Sequence, residues 1–457
     1  VERDRPTTGR VVERVLRLGP AELDLGGRVV RTWAFDGQVP AAPIRAEPGD
    51  ELRIRVRNGL PEPTTVHWHG LALRNDMDGV PDVTMAPIAP GAGFDYGYVV
   101  PEHPGTYWFH PHVGTQPDTG LYGPLIVTDP ADNGYDEDVV LVLDDWTDGW
   151  GRSPQALLTD ARRNGMGGGA GGSGGMGGMA GMGMPSATEP LGADTGDVSY
   201  PAHLINGRVP SDPFVVSSSP GRRLRLRLIN AGADTAYRFA VGGHRLTVTH
   251  ADGFPVRPVE VDTLLLGMGE RYDVTVTAGS GVFPVVAVPE GKKDPIAAGL
   301  LRTARGRTPP MGTRPAELRG RMLGYGDLVA TDAVALRSRA PDLSLSMSLT
   351  MADGGRQWLI NGRPYDDRQP LPVEQGQRVR LDLVNRSMMF HPMHLHGHSF
   401  ALARGDGNGP RKDTVNVLPM GRTSIELDAD NPGQWLAHCH NTYHLELGMG
   451  TVLSYRT

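Results

Sequence analysis

The chain has one cysteine, Cys439, in 457 residues, so it cannot form an internal disulfide. No run of 18 apolar residues occurs, which excludes a transmembrane helix and a membrane partner of that kind. Charge of one sign is also missing: 45 basic and 52 acidic residues are well mixed and leave a net −7. A nucleic-acid binder needs a basic face, so nucleic acid is excluded as a partner. Helical periodicity is scarce. The first residues, Val1-Glu2-Arg3-Asp4, contain no apolar signal core.

What is present is strand-like alternation. Leu52-Arg53-Ile54-Arg55-Val56-Arg57, Leu224-Arg225-Leu226-Arg227-Leu228 and Val379-Arg380-Leu381-Asp382-Leu383-Val384 alternate apolar and polar residues. Period two predicts one buried and one wet face. The 62 glycines and 39 prolines punctuate at short intervals, which predicts an all-β chain of sandwiches. Each of these strands follows the same phrase. Asp36-Gly37, Asn206-Gly207 and Asn361-Gly362 are turn formers, and an asparagine (Asn58, Asn230, Asn385) follows 21, 23 and 23 residues after the glycine. Repeats 170 and 155 residues apart are domain duplications rather than a solenoid. We read three domains: 1–130, 131–305 and 306–457. One segment breaks the pattern. Residues 165–184 hold 12 Gly and 5 Met, too little surface to repay chain entropy, and a mobile loop is expected early in domain 2.

Histidine carries the functional signal. Random placement of 15 histidines gives about 0.5 His-x-His pairs, and the sequence has five. The clusters read His67-Trp68-His69, His110-Pro111-His112, His391-Pro392-Met393-His394-Leu395-His396, and His438-Cys439-His440 with His444 and Met449 beyond. They follow the first and third repeats but not the second, so domains 1 and 3 must touch, with domain 2 bridging them. A lone cysteine is ordinarily a small buried apolar residue. Between two imidazoles it is a metal thiolate, and this donor mix suits copper. If 434–440 is a strand, His438 and His440 face one way and Cys439 the other. On the sulfur side His391 and His444 complete a His₂Cys set, with Met449 as a weak axial thioether. Eight histidines remain for the other side: His67, His69, His110, His112, His394, His396, His438 and His440. Zinc fits poorly, since structural sites close with four ligands and catalytic ones need three from the protein. His103, His203, His244 and His250 are read as surface or hydrogen-bonded, His398 as a neighbour of the ligands, and Asp413 as structural.

The four clusters resemble the copper-binding motifs of the multicopper oxidases, a laccase-like family that includes bacterial cuprous oxidases. The resemblance spans nearly the whole chain. It implies three consecutive cupredoxin-like Greek-key β-sandwich domains and four copper ions. His391, Cys439, His444 and Met449 match the type 1 ligands, and His67 and His394 the type 2 ligands. His69, His110 and His440 match one type 3 copper, and His112, His396 and His438 the other. The implied activity is four one-electron oxidations at the type 1 copper coupled to reduction of O₂ to two waters, with electrons entering by the exposed edge of a ligand such as His444. Asp78 matches a proton-relay carboxylate; its plainer reading is a turn Asp before glycine. Glu446 is a second relay candidate, displaced by one residue from the position bacterial relatives use. The reductant expected is a phenol, an aromatic amine or Cu(I), the methionine segment favouring Cu(I). A dedicated cuprous oxidase in copper tolerance and a biosynthetic aromatic-coupling oxidase stand beside the laccase reading. A copper-free scaffold is disfavoured by the intact ligand set. The expectation is a monomer in an extracellular or cell-envelope, periplasmic location, its export signal removed.

Overall fold

A computed structural model describes residues 2–456 except 133, 167–183, 187, 311 and 405–406. The chain forms six sheets, two for each third of the sequence. The first pair is four-stranded on both sides, and strands His67–His69 and Gly105–His110 lie in its second sheet. The middle and last pairs have six and five strands each. In the last five-stranded sheet the order is Leu371–Val373, Gly450–Tyr455, Gln434–Cys439, His391–Leu395, Thr414–Val417. The fold is all-β, three cupredoxin-like sandwiches, each with its own apolar core. Among the described residues no helix is long and apolar enough to cross a membrane. The 165–184 segment lies mostly outside the described residues.

The repeated phrase is the device that builds each sandwich. Asp36 and Gly37, Asn206 and Gly207, and Asn361 and Gly362 all take positive φ between 49° and 76°. Two consecutive positive φ values make a type I′ turn, whose twist matches that of paired strands. The hydrogen bond across each turn is 3.1 Å (Gln38 N to Phe35 O, Arg208 N to Ile205 O, Arg363 N to Ile360 O). The closing asparagines repeat as well. Asn58, Asn230 and Asn385 are buried, and each donates its amide to at least two carbonyls while its Oδ1 accepts the N–H two residues on.

Strand Glu51–Asn58 buries alternate residues, as its pattern predicts. Strand Arg223–Asn230 does not: all but its first residue are buried. Arg225 and Arg227 are 2% and 0% exposed, because Asp273 pairs with both and Thr106 of the first sandwich donates to the same carboxylate at 2.6 Å. The face expected to be wet is an interface between the first and middle sandwiches. The outer sandwiches meet directly too. Asn431 Nδ2 donates to Leu73 O at 2.9 Å and Asn75 Nδ2 to Gln434 O at 2.7 Å.

Candidate metal centre

The two ends of the chain build one pocket from matching strand pairs. In the first sandwich His67 pairs with His110 across neighbouring strands; in the last, His394 pairs with His438. The pairs face each other. His67 stacks on His396 and His69 on His394, both with ring centres 3.8 Å apart. His112 Nε2 and His396 Nε2 approach His438 Nε2 to 3.4 and 3.1 Å. His110 and His440 rings meet at 5.3 Å. All eight histidines are brought together, seven buried and His112 half-buried.

Their outer nitrogens are tied down. His67 Nδ1 donates to Asp78 O, His110 Nδ1 to Pro111 O, His394 Nδ1 to Asp413 O and His438 Nδ1 to Cys439 O, each at 2.8 Å. The inner nitrogens of His67, His69, His110, His394 and both of His440 are buried without a hydrogen-bond partner. Orphaned buried nitrogens are costly unless a cation takes their lone pairs, so this donor set fits metal ions. Burial, reinforced by the neighbouring rings, holds His69, His110, His112, His396, His438 and His440 well below the ordinary imidazole value. They are therefore neutral, the form that ligates.

A second donor set lies on the other face of the Gln434–Cys439 strand. Cys439 Sγ is 3.7 Å from His391 Nδ1 and 3.6 Å from His444 Nδ1, and the two nitrogens are 3.2 Å apart. The short helix Thr442–Glu446 brings His444 back. Asn441 caps it, accepting from Tyr443 N and His444 N at 3.0 and 3.2 Å. Met449 is buried in the same core, and its carbonyl accepts the Cys439 N–H at 3.0 Å. The far nitrogens are held by Ser387 Oγ on His391 and Asp197 Oδ2 on His444, both at 2.8 Å. Burial works against protonating His444, but Asp197 and the Cys439 sulfur outweigh it and raise the ring to about 10. The surroundings favour positive charge here. The donors fit a soft metal ion.

Three sequence-family models described as multicopper oxidase match residues 20–132, 137–306 and 338–457. The multicopper oxidase MmcO of Mycobacterium tuberculosis is 48% identical, covering 99% of this chain and 89% of its own. The chain belongs to the multicopper oxidases. Copper resistance protein A of Pseudomonas syringae pv. tomato is 29% identical over 95% of this chain and 91% of its own. The crystal structure of the laccase from Botrytis aclada superposes with a TM-score of 0.79 at 28% identity, over 98% of this chain and 88% of that one.

In this multicopper oxidase the surroundings of the ligands correct two expectations. His444 has no exposed edge. It is 0% exposed, covered by Asp197 on one side and by Trp358 stacked 4.0 Å away on another. Asp413 does more than support the fold. Its Oδ1 accepts from His69 Nε2 at 3.0 Å, and its carbonyl holds His394. Asp78 sits against the pocket, 0% exposed, with Oδ2 3.0 Å from His396 Nδ1. Glu446 lies outside it, its carboxylate 3.4 Å from Arg162 Nη2. Sequence reasoning missed Asp197, Ser387 and Asp413 as partners of the ligands, since no spacing ties them to a cluster. His203, His244 and His250 are hydrogen-bonded, and His398 is buried between His396 O and the Tyr455 hydroxyl.

Proposed function

We propose that this multicopper oxidase takes electrons singly from a small reductant at the cysteine site and passes them to O₂ at the eight-histidine pocket. Four electrons and four protons convert one O₂ to two waters. His391, Cys439 and His444, with Met449 as a further donor, would hold a type 1 copper. His67 and His394 would hold a type 2 ion, and His69, His110 and His440 with His112, His396 and His438 a type 3 pair. Bound copper supplies the one-electron redox chemistry and the site for oxygen.

One observation carries this reading: His438 and Cys439, consecutive in one strand, belong to different donor sets. A single peptide unit therefore joins the two sites covalently, an electron path no solvent gap interrupts. The rest falls to other side chains. Asp78, buried and bonded to His396, is placed to hand protons inward. We assign the relay to it ahead of Glu446, which engages Arg162. Apolar burial around Cys439 keeps water from the thiolate.

The reductant class follows from the rim. Met351 and Met420 are 43% and 55% exposed. Met351 pairs across strands with Trp358, which stacks on His444, and Met420 N bonds to Ser387 O beside His391. Thioethers suit Cu(I) and also offer apolar contact to an aromatic ring. We infer that Cu(I) and phenols or aromatic amines are substrates. The test compares oxidation of Cu(I), a phenol and an aromatic diamine by wild type and Cys439→Ser. The variant should lose its blue colour and all three activities while keeping copper in the histidine pocket. Retained colour and turnover would overturn the assignment.

A further inference from the structure

The middle sandwich supplies no member of the eight-histidine pocket, yet one of its loops presses into it. A Cβ at Gly269, where φ is +82°, would lie 2.8 Å from His440 Cδ2 and 3.1 Å from His69 Cε1. Two residues on, Arg271 is 0% exposed and spends its guanidinium on both outer domains. Nε donates to Thr106 O at 3.1 Å, on the strand that ends at His110. Nη1 and Nη2 donate to Asp413 Oδ1 and Oδ2, each at 2.7 Å, and Nη1 also reaches Gly269 O at 3.1 Å. A planar fork satisfied at every nitrogen fixes the carboxylate plane.

What Asp413 then does is particular to one ligand. His67, His110, His394, His396 and His438 all bind outward partners through Nδ1 and turn Nε2 inward. His69 is reversed. Its Nε2 meets Asp413 Oδ1 at 3.0 Å, and its buried Nδ1 has no partner. His69, His394 and Asp413 are close enough to chelate an ion, but Arg271 occupies both carboxylate oxygens and its charge repels a cation there.

We propose that Arg271 is a positioning residue. Through Asp413 it fixes His69 in the tautomer that carries its proton on Nε2 and presents Nδ1 to the metal pocket. The domain without ligands thereby sets the ligand atom of one histidine, because a hydrogen bond to the far nitrogen decides which nitrogen binds. The inference rests on reading the pocket as a metal centre, but the ring state is measurable without metal.

The experiment is ¹⁵N NMR of histidine-labelled, copper-depleted full-length protein, followed by copper loading. In wild type His69 should be protonated at Nε2 and bare at Nδ1. Arg271→Gln should shift His69 toward the other tautomer. It should weaken copper binding in the histidine pocket about 10- to 100-fold while the blue colour of the cysteine site persists. Arg271→Lys keeps the charge and most of the volume but not the fork. It should show the same change in smaller degree, and serves if the glutamine variant does not fold. A His69 ring unmoved in the variants, or loss of both sites in parallel, overturns the proposal. Wild type that loads no copper in the pocket, yet shows the predicted His69 tautomer, would instead sink the metal reading and leave the tautomer assignment standing.

Discussion

Asp197 Oδ2 lies 2.8 Å from His444 Nε2, so a carboxylate of the middle sandwich seals the outer edge of a ligand in the last. Any reductant reaching His444 meets this oxygen or displaces it. The charge favours cationic or N–H-bearing donors, and it can take the proton an amine releases on oxidation. Asp197→Ala should raise KM about tenfold for an aromatic diamine and for Cu(I), a loss of about 1.4 kcal/mol of binding, and less for a phenol. Visible absorption should be unchanged. Equal effects on all three reductants would mean that Asp197 only orients the ring.

Asp413, which also bonds a ligand nitrogen, is held by the Arg271 fork, whereas Asp78 bonds His396 Nδ1 at 3.0 Å and is not held by that fork. An amide in place of Asp78 still accepts that hydrogen bond through Oδ1 but cannot move a proton. Asp78→Asn should therefore keep full copper content while slowing reoxidation of the reduced enzyme by O₂ about 100-fold, the low end for general acid–base catalysis. Stopped-flow mixing with O₂ reads this step apart from substrate oxidation. Unchanged reoxidation retires the relay role.

Much of this site was legible because its donors are chemically rare and locally spaced. His67, His69, His110, His112 and the His438-Cys439-His440 run declare themselves by their His-x-His spacing, which lies on or at the end of strands where period two sets the facing direction. The turn phrase revealed the three sandwiches because Asp36-Gly37, Asn206-Gly207 and Asn361-Gly362 need positive φ, which few residues adopt. What stayed hidden depends on contacts between distant segments. Asp413 meets His69 from 344 residues away, and Asp197 meets His444 across 247. An aspartate carries no mark of its partner. The strand at 223–230 misled for a related reason: alternation of Leu and Arg signals a wet face unless carboxylates such as Asp273 pair with the arginines and another domain covers them.

Acid should destabilise the copper-depleted protein through its buried imidazoles. Burial lowers His398 from 6.5 to about 4, and the ring lies between His396 O and the Tyr455 hydroxyl. Below about pH 6.5 the unfolded chain takes up a proton that the folded chain refuses until about pH 4, so this contribution falls as pH drops through that window. Its full loss is roughly 3 kcal/mol, at 1.36 kcal/mol for each unit. In His398→Gln the amide can still accept from Tyr455 but does not titrate. The fall in Tm between pH 7 and pH 5 should be smaller in the variant than in wild type. A parallel fall would show that other groups carry the effect.

The methionine and glycine segment joins the described fold at a telling place. Helix Pro154–Asn164 ends at Gly165, and Met166 N donates to Gly355 O at 2.9 Å. Gly355 lies in the turn between the strand of Met351 and the strand of Trp358, and Trp358 stacks on His444. On its other flank Met184 is 53% exposed. Met166, at one flank of residues 167–183, therefore lies a few residues from Trp358 of the cysteine site, and the sequence of that segment carries further thioethers, which prefer Cu(I) to a phenol. Replacing 167–183 by a short glycine-serine linker should lower kcat/KM for Cu(I) about tenfold or more, while phenol oxidation stays within about twofold, a difference of about 1 kcal/mol or more in transition-state binding. Equal losses would point to a general disturbance of the Trp358 turn. No loss on Cu(I) would leave Met351 and Met420 as the thioethers that matter, and the double variant Met351→Ala/Met420→Ala should then carry the selective defect.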